Sequence, residues 1–216
     1  MAVLLLKFDA PMQSWGIDEK LKDHKTDFIP SKSAVIGMIA SAEGRRRDED
    51  VSDLVNLRFG FRIDCAGEIM EDYHVSVAGG SFGETKDDYG TGHQTNAINP
   101  KRIKVGIRYY LADAVFVCGI EGDRERLENI KESLLSPANA LFLGRRSCPV
   151  TAELVQEIVP GALETALRSD SGNKRAFLDI KGATTDRGHR TVKDTPISFN
   201  PMKRVYALRK CMEVRL

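Results

Sequence analysis

The chain has 216 residues, 42% of them hydrophobic and 29% charged, with a formal net charge of +1. That length supports one main domain plus a smaller appendage, and no apolar run nears the roughly 20 residues of a bilayer span. The opening also lacks the charged start, long apolar centre and cleavage site of a signal peptide, so a cytoplasmic protein without membrane contact is expected.

Ala2 to Phe8 is a short apolar run ending at Asp9-Ala10-Pro11, as a buried, central strand would. After a polar stretch, Ser31 or Ser33 caps a helix whose apolar positions Val35, Ile36, Ile39 and Ala40 recur at helical spacing and which ends near Gly44. Leu57 to Asp64 and Tyr73 to Val77 read as strands. From Gly79 to Lys101 no apolar period survives, and a structureless stretch of that length is usually functional. Its flanks, Tyr73 to Ala78 and Ile103 to Tyr110, pair as the base of a projecting arm.

Leu111 to Gly119 is the next strand, and Asp123 caps a helix with Leu127, Ile130 and Leu134 on one face, closed by Ser136-Pro137. A last strand near Ala140 to Leu143 completes a β-α-β-β-α-β order, an α+β ferredoxin-like (RRM-like) plan. Residues 1–149 form this domain. The small β-rich region 150–216 holds a short helix around Ala162 to Leu167, a strand at Ala176 to Ile180, a polar loop to Asp194 and a closing strand at Arg204 to Val214.

Charge is uneven along this plan. From Arg168 onward there are 12 Lys and Arg against 5 Asp and Glu, leaving 20 against 26 before it. A concentrated basic end points to nucleic acid or to a solvated face. Cys65, Cys118, Cys148 and Cys211 stand apart from one another and from histidines at ligand spacing, so no metal, disulfide framework or cofactor is expected.

The chemistry concentrates in Phe142-Leu143-Gly144-Arg145-Arg146-Ser147-Cys148-Pro149. A glycine admits close backbone approach, two guanidiniums carry fixed charge, and Ser147 with neighbouring amides donates to phosphate oxygens. The bland alternative is a solvated turn. Lys32 beside the first helix's free amides is either a second anion site or an ordinary lysine next to a cap. Arg108 lies just before the strand at Tyr110, where its ordinary role is a cross-strand ion pair.

Together, several segments resemble one family, the CRISPR-associated RAMP subunit CasD. They are Pro11-Met12-Gln13-Ser14-Trp15-Gly16, Pro30-Ser31-Lys32-Ser33, Asp72-Tyr73-His74-Val75-Ser76-Val77, Tyr110-Leu111-Ala112-Asp113-Ala114 and Leu143 to Pro149, in matching order over about the first 150 residues. The resemblance implies a ferredoxin-like RAMP domain with a β-hairpin thumb at about 79–104, and a non-catalytic subunit, one copy per complex, capping the 5′ handle of the crRNA in a type I-E Cascade used in antiviral defence. The implied partners are the crRNA 5′ handle, the Cascade backbone subunit and the Cascade large subunit.

With that resemblance, Gln13, Ser14, Lys32, Ser33, Lys104, Arg108, Gly144, Arg145, Arg146, Ser147 and Cys148 are the expected RNA contacts. RNA ends are held by charge and by stacking or edge contacts to splayed bases. Trp15 either serves as a base platform or packs the core between the first strand and the C-terminal appendage while Gln13 and Ser14 meet RNA. In the arm, Phe82, Tyr89, His93 and Gln94 order on RNA or on a backbone subunit. Glu84, Asp87 and Asp88 repel phosphate, so the basic base, Lys101-Arg102-Ile103-Lys104, lies nearer the RNA than the tip.

The competing expectation is a metal-independent endoribonuclease processing the CRISPR precursor, as in the type I-C branch of the family. It would draw its base and acid from Tyr73, His74, His93, Lys104 and His189. His74 reads as structural, and His189 as part of a phosphate-binding loop. A generic basic RNA-binding module is the third reading.

Overall fold

The computed structural model describes residues 1–16, 23–77, 81–82, 85–86, 103–168, 172–180 and 189–216. β1 (Ala2–Asp9) leads through β2 (Met12–Gln13), β3 (Trp15–Gly16), β4 (Asp23–His24) and β5 (Thr26–Asp27) to α1 (Lys32–Ala42) and α2 (Ser52–Val55). Then come β6 (Arg58–Cys65), β7 (Glu68–Val77), β8 (Ser81–Phe82), β9 (Thr85–Lys86), β10 (Ile103–Ala112), β11 (Val115–Gly122) and α3 (Arg124–Leu135). β12 (Val155–Pro160), α4 (Leu163–Ala166), β13 (Arg175–Asp179), β14 (His189–Ser198) and β15 (Val205–Arg215) complete the order.

Seven strands form one antiparallel sheet in the order β12-β1-β11-β6-β13-β15-β14. Its first four strands, with α1 after β1 and α3 after β11, have the 4-1-3-2 order of a ferredoxin-like α+β domain. Alternation along β1 decides the layers, because successive side chains face opposite sides. Leu4, Leu6 and Phe8 join the cluster that buries Val35, Ile36 and Ile39 of α1 and Leu127, Ile130 and Leu134 of α3. Val3 and Leu5 face the other way, against Leu163 and Leu167.

Local chemistry sets the helix ends. Ser31 is the N-cap of α1, its hydroxyl accepting from the Ala34 amide at 3.3 Å, and Asp123 caps α3 through the Glu125 amide at 3.2 Å. α3 stops at Leu135, before Ser136-Pro137.

Four expectations are corrected. Residues 140–143 do not form the fourth ferredoxin strand; apart from the single bridge Phe142 to Pro149 they enter a loop, and β12 takes that place beside β1. β12 is an edge strand whose Gln156 and Glu157 are exposed, so it lacks the apolar run that marks a buried strand. The strand expected from Leu111 is two strands, since β10 runs to Ala112 and β11 starts at Val115, with Asp113 turning the chain at φ 54°. The polar loop expected up to Asp194 gives way at His189 to β14, an edge strand paired with β15 alone, whose polarity reflects its exposure; residues 181–188 lie outside the described residues. Finally, residue 149 is no boundary of the sheet: β12 closes one side of it, and β13, β15 and β14 extend the other beyond β6.

β7 and β10 stand apart as a ten-residue antiparallel ladder from Val77 opposite Ile103 to Glu68 opposite Ala112, with β2 and β4 on the outer edge of β10. This ladder is the base of the arm. Its expected contacts Tyr89, His93, Gln94, Lys101 and Arg102, and the acidic Glu84, Asp87 and Asp88 expected to repel phosphate, lie outside the described residues.

Candidate nucleic-acid interface

The segment leaving β1 is fastened at three points. Gln13 is fully buried, and its Nε2 donates to the carbonyls of Phe8 at 3.2 Å and Ala114 at 2.6 Å, tying the end of β1 to the start of β11. The Ser14 amide donates to the Leu143 carbonyl at 3.1 Å and its hydroxyl to the Tyr109 carbonyl at 3.2 Å. Trp15 is buried with its ring centroid 5.4 Å from that of Phe8, and its amide donates to Thr26 Oγ1 at 2.8 Å.

The Phe142 to Pro149 loop closes onto this support. Leu143 donates to the Cys148 carbonyl at 2.7 Å and Cys148 to the Arg145 carbonyl at 2.9 Å. Gly144 lies at φ +87°, and a Cβ there would sit 1.7 Å from the Ser14 carbonyl oxygen. Only a residue without a side chain allows the two backbones to pass this closely.

The two arginines of the loop differ in kind. Arg145 is turned back over the Tyr110 ring, 5.4 Å from its centroid, and donates long 3.4 Å hydrogen bonds to the carbonyls of Tyr109 and Lys25. Its charge braces the loop against β10 and the β4–β5 connection. Arg146 and Ser147 are exposed, and Arg146 has no ion-pair partner among the described residues. The Ser147 hydroxyl lies 3.4 Å from the Tyr110 hydroxyl. The loop therefore presents one free guanidinium and one hydroxyl on a braced backbone, the groups a phosphate oxygen requires.

Several expected contacts are corrected by their surroundings. Gln13 and Ser14 spend their side chains on internal carbonyls and hold the loop instead of reaching outward. Lys32 is buried: its Nζ pairs with Asp179 at 3.0 Å, donates to the Leu57 carbonyl at 3.1 Å and lies 4.9 Å over the Phe59 ring. Its amide, the expected anion donor at the start of α1, already donates to Asp194 at 2.8 Å. A carboxylate of the chain itself fills that helix terminus. Ser33 is half-buried, donating to the Ser31 hydroxyl at 3.5 Å. Cys148 is buried, and burial pushes its thiol up despite the nearby Ser147 hydroxyl and Arg145, so it serves the loop through its backbone.

Arg108 is half-buried in β10, directly opposite Asp72 and on the face that carries His74 and Tyr110. Lys104 lies opposite Ser76 in the same ladder, its side chain outside the described residues. Among the expected acid and base groups, Tyr73 and His74 are neighbours in β7 and point to opposite faces, whereas His189 is the first residue of β14 on the other sheet.

Sequence reasoning missed two features. Tyr110 and the Lys25 carbonyl, which hold Arg145, come from remote segments with no local signal. The second is a buried network in which Arg209 contacts Asp179, and also Asp194 at 2.6 and 2.8 Å, beside Lys32. Burial works against the Arg209 charge, but the two carboxylates outweigh it and hold the guanidinium's pKa above its usual value.

Residues 3–212 match the family described as CRISPR-associated protein (Cas_Cas5). The CRISPR system Cascade subunit CasD of Escherichia coli (strain K12) is 28% identical over 156 residues, covering 70% of this chain and 68% of that protein. Among solved structures, a chain of a CRISPR RNA-guided surveillance complex superposes with a TM-score of 0.77 at 28% identity, covering 99% of this chain and 89% of that one. A crystal structure of a Cas protein gives 0.72 at 29% identity, covering 99% and 94%.

Proposed function

Because the chain belongs to the family of CRISPR-associated proteins described as Cas_Cas5, we propose that it is a non-catalytic crRNA-binding subunit of a Cascade surveillance complex. In the finer reading the complex is of type I-E. One copy of this subunit caps the 5′ handle of the crRNA and touches the backbone and large subunits. The relative named as a Cascade subunit and the match to a surveillance-complex chain support the assembly.

One observation carries the RNA-binding surface: Gly144 against Ser14 locks the loop, which commits Arg145 to Tyr110 and leaves Arg146 and Ser147 facing out. Arg146 supplies charge to a backbone phosphate, and the Ser147 hydroxyl donates to one of its oxygens. Arg145 is a positioning residue. Arg108, on the same face of β10 as Tyr110, extends this surface toward the arm.

Incubating the purified full chain with a repeat-containing precursor RNA, without metal, tests the reading. Binding selective for the 5′ handle without cleavage, weakened by Arg146→Ala, is expected. Cleavage at one position that a His→Ala change abolishes would overturn it in favour of the endoribonuclease.

A further inference from the structure

The buried charges around Lys32 line a cleft that the RNA-facing loop does not use. β13 stops at Asp179, whereas its neighbour β15 starts at Val205 and meets Asp179 only at Cys211, so past the end of β13 no described strand lies between the start of β6 and the first half of β15. The gap is a cleft of about 400 Å³. Small-molecule sites occupy about 300 to 1,000 Å³.

Most of the charge in the cleft is already matched. Lys32 and Arg209 both pair with Asp179, Arg209 pairs again with Asp194, and Arg58 is held by Glu121 and Glu164. The lining cation without an ion-pair partner among the described residues is Lys210, which is exposed. Val55, Ile180 and Leu208 supply apolar walls, and Leu208 is 68% exposed. A ligand here therefore needs a neutral body with apolar faces and a single anionic group.

Two neutral polar groups choose that body. Thr195 lines the cleft, and its hydroxyl is buried with no hydrogen-bond partner among the described residues. An unpaired buried hydroxyl is costly, so a ligand that pairs it recovers that free energy. Asn56, also on the lining, is exposed. A hydroxyl and a carboxamide each donate and accept, and a nucleobase edge mixes donors with acceptors in the same way.

The cleft is remote from the loop at 142–149. It opens beside Arg58, the first residue of β6, whereas the loop attaches near the other end, where Cys65 lies opposite Val115 and Gln13 donates to the Ala114 carbonyl. The length of β6 separates the two by roughly 24 Å at about 3.4 Å per residue.

We propose that this cleft is a binding site for a free nucleoside monophosphate, with the base between Val55, Ile180 and Leu208, its edge on Thr195 and Asn56, and the phosphate on Lys210. The lining draws on α2, β6, β13, β14 and β15, so the bound nucleotide ties the C-terminal strands to the ferredoxin-like part. The proposal does not depend on the guide-RNA reading.

The test titrates the purified full chain with AMP, GMP, CMP and UMP by calorimetry, and then with the two halves of the tightest binder, its nucleoside and ribose 5-phosphate. Binding of a nucleotide is expected, with each half at least about 10-fold weaker because it forfeits either the charged contact or the ring burial. Lys210→Ala is expected to cost about 10-fold in affinity, as loss of a charged hydrogen bond does, and Thr195→Val about 5-fold, as loss of a neutral one does. Neither variant changes 5′-handle RNA binding. Thr195→Val also removes the unpaired hydroxyl, so the variant without nucleotide melts no lower than the wild type, whereas a purely structural Thr195 would lower it. Nucleotide at about 100 times Kd raises Tm by roughly 5 to 11 °C. Absence of binding by all four nucleotides at about 1 mM, affinities that neither variant changes, or displacement of the bound nucleotide by 5′-handle RNA would overturn the proposal.

Discussion

Gly144→Ala tests the support of the RNA-facing loop. A methyl group at φ +87° meets two separate penalties. The left-handed backbone costs an ordinary residue about 1 to 2 kcal/mol. The new Cβ would also sit 1.7 Å from the Ser14 carbonyl oxygen, whereas real Cβ contacts essentially never fall under 3.0 Å, so the two backbones must part by about 1.3 Å. Ser14 cannot yield cheaply, because its amide is bonded to Leu143 and its hydroxyl to Tyr109. Parting them breaks the Ser14 to Leu143 hydrogen bond and lifts Arg145 from Tyr110, adding about 2 kcal/mol. The expected total is about 3 to 4 kcal/mol, which for a chain of this size lowers Tm by roughly 6 to 16 °C.

Gly172→Ala separates the two penalties. Gly172 has φ +65°, and a Cβ there would meet nothing within 4 Å, so this substitution reports the backbone penalty alone. Urea denaturation of both variants, with 5′-handle RNA binding measured alongside, gives the comparison. If Gly144→Ala were no more destabilising than Gly172→Ala, the close crossing at Ser14 would not be what fixes the loop.

Arg146→Ala is expected to leave stability within about 0.5 kcal/mol of the wild type while flattening the salt dependence of RNA binding by about 0.7, whereas Arg145→Ala lowers stability by about 1 kcal/mol. Thermal melts and RNA titrations at several salt concentrations distinguish them, and equal effects on stability would refute the assignment of Arg145 as a brace. Arg209→Met leaves Asp194 in the interior without its guanidinium and Asp179 with Lys32 as its remaining ion-pair partner among the described residues; a loss of about 3 to 5 kcal/mol is expected in urea denaturation, and a loss under 1 kcal/mol would contradict it. Asp53 accepts two 2.6 Å hydrogen bonds from Arg45, which with the nearby Arg126 hold its carboxyl down at about 2. The depressed group stabilises the fold fully above pH 4 and loses that contribution as pH falls through about 2. Because the side chain is 42% exposed, the contribution is about 1 kcal/mol. The stability difference between wild type and Asp53→Asn should shrink as pH falls from about 4 through about 2 and vanish only below that; a constant difference would refute the pairing.

Local signals carried a large part of the fold. Ser31 and Asp123 cap because their oxygens accept from amides two or three residues on, and the apolar spacing of α1 and α3 follows from one helical face meeting the sheet. The base of the arm was legible because both flanks have strand character around a stretch that lacks it. Edge strands were not legible. β12 and β14 each pair on one side only, so their sequences carry the polarity of exposure, and the fourth ferredoxin strand was sought in the wrong segment.

At the site, sequence alone determined that Gly144, Arg145, Arg146 and Ser147 form a compact cationic loop, since composition and spacing suffice for that. Only the tertiary structure decided which charges are free. Arg145 is committed to Tyr110, Lys32 to Asp179, and the start of α1 to Asp194, each by a partner at least 35 residues away in sequence. Arg146, Lys193 and Lys210 are left exposed. A lysine or arginine reads the same in a sequence whether it is paired or not, because the carboxylate or ring that neutralises or holds it arrives only when the chain folds.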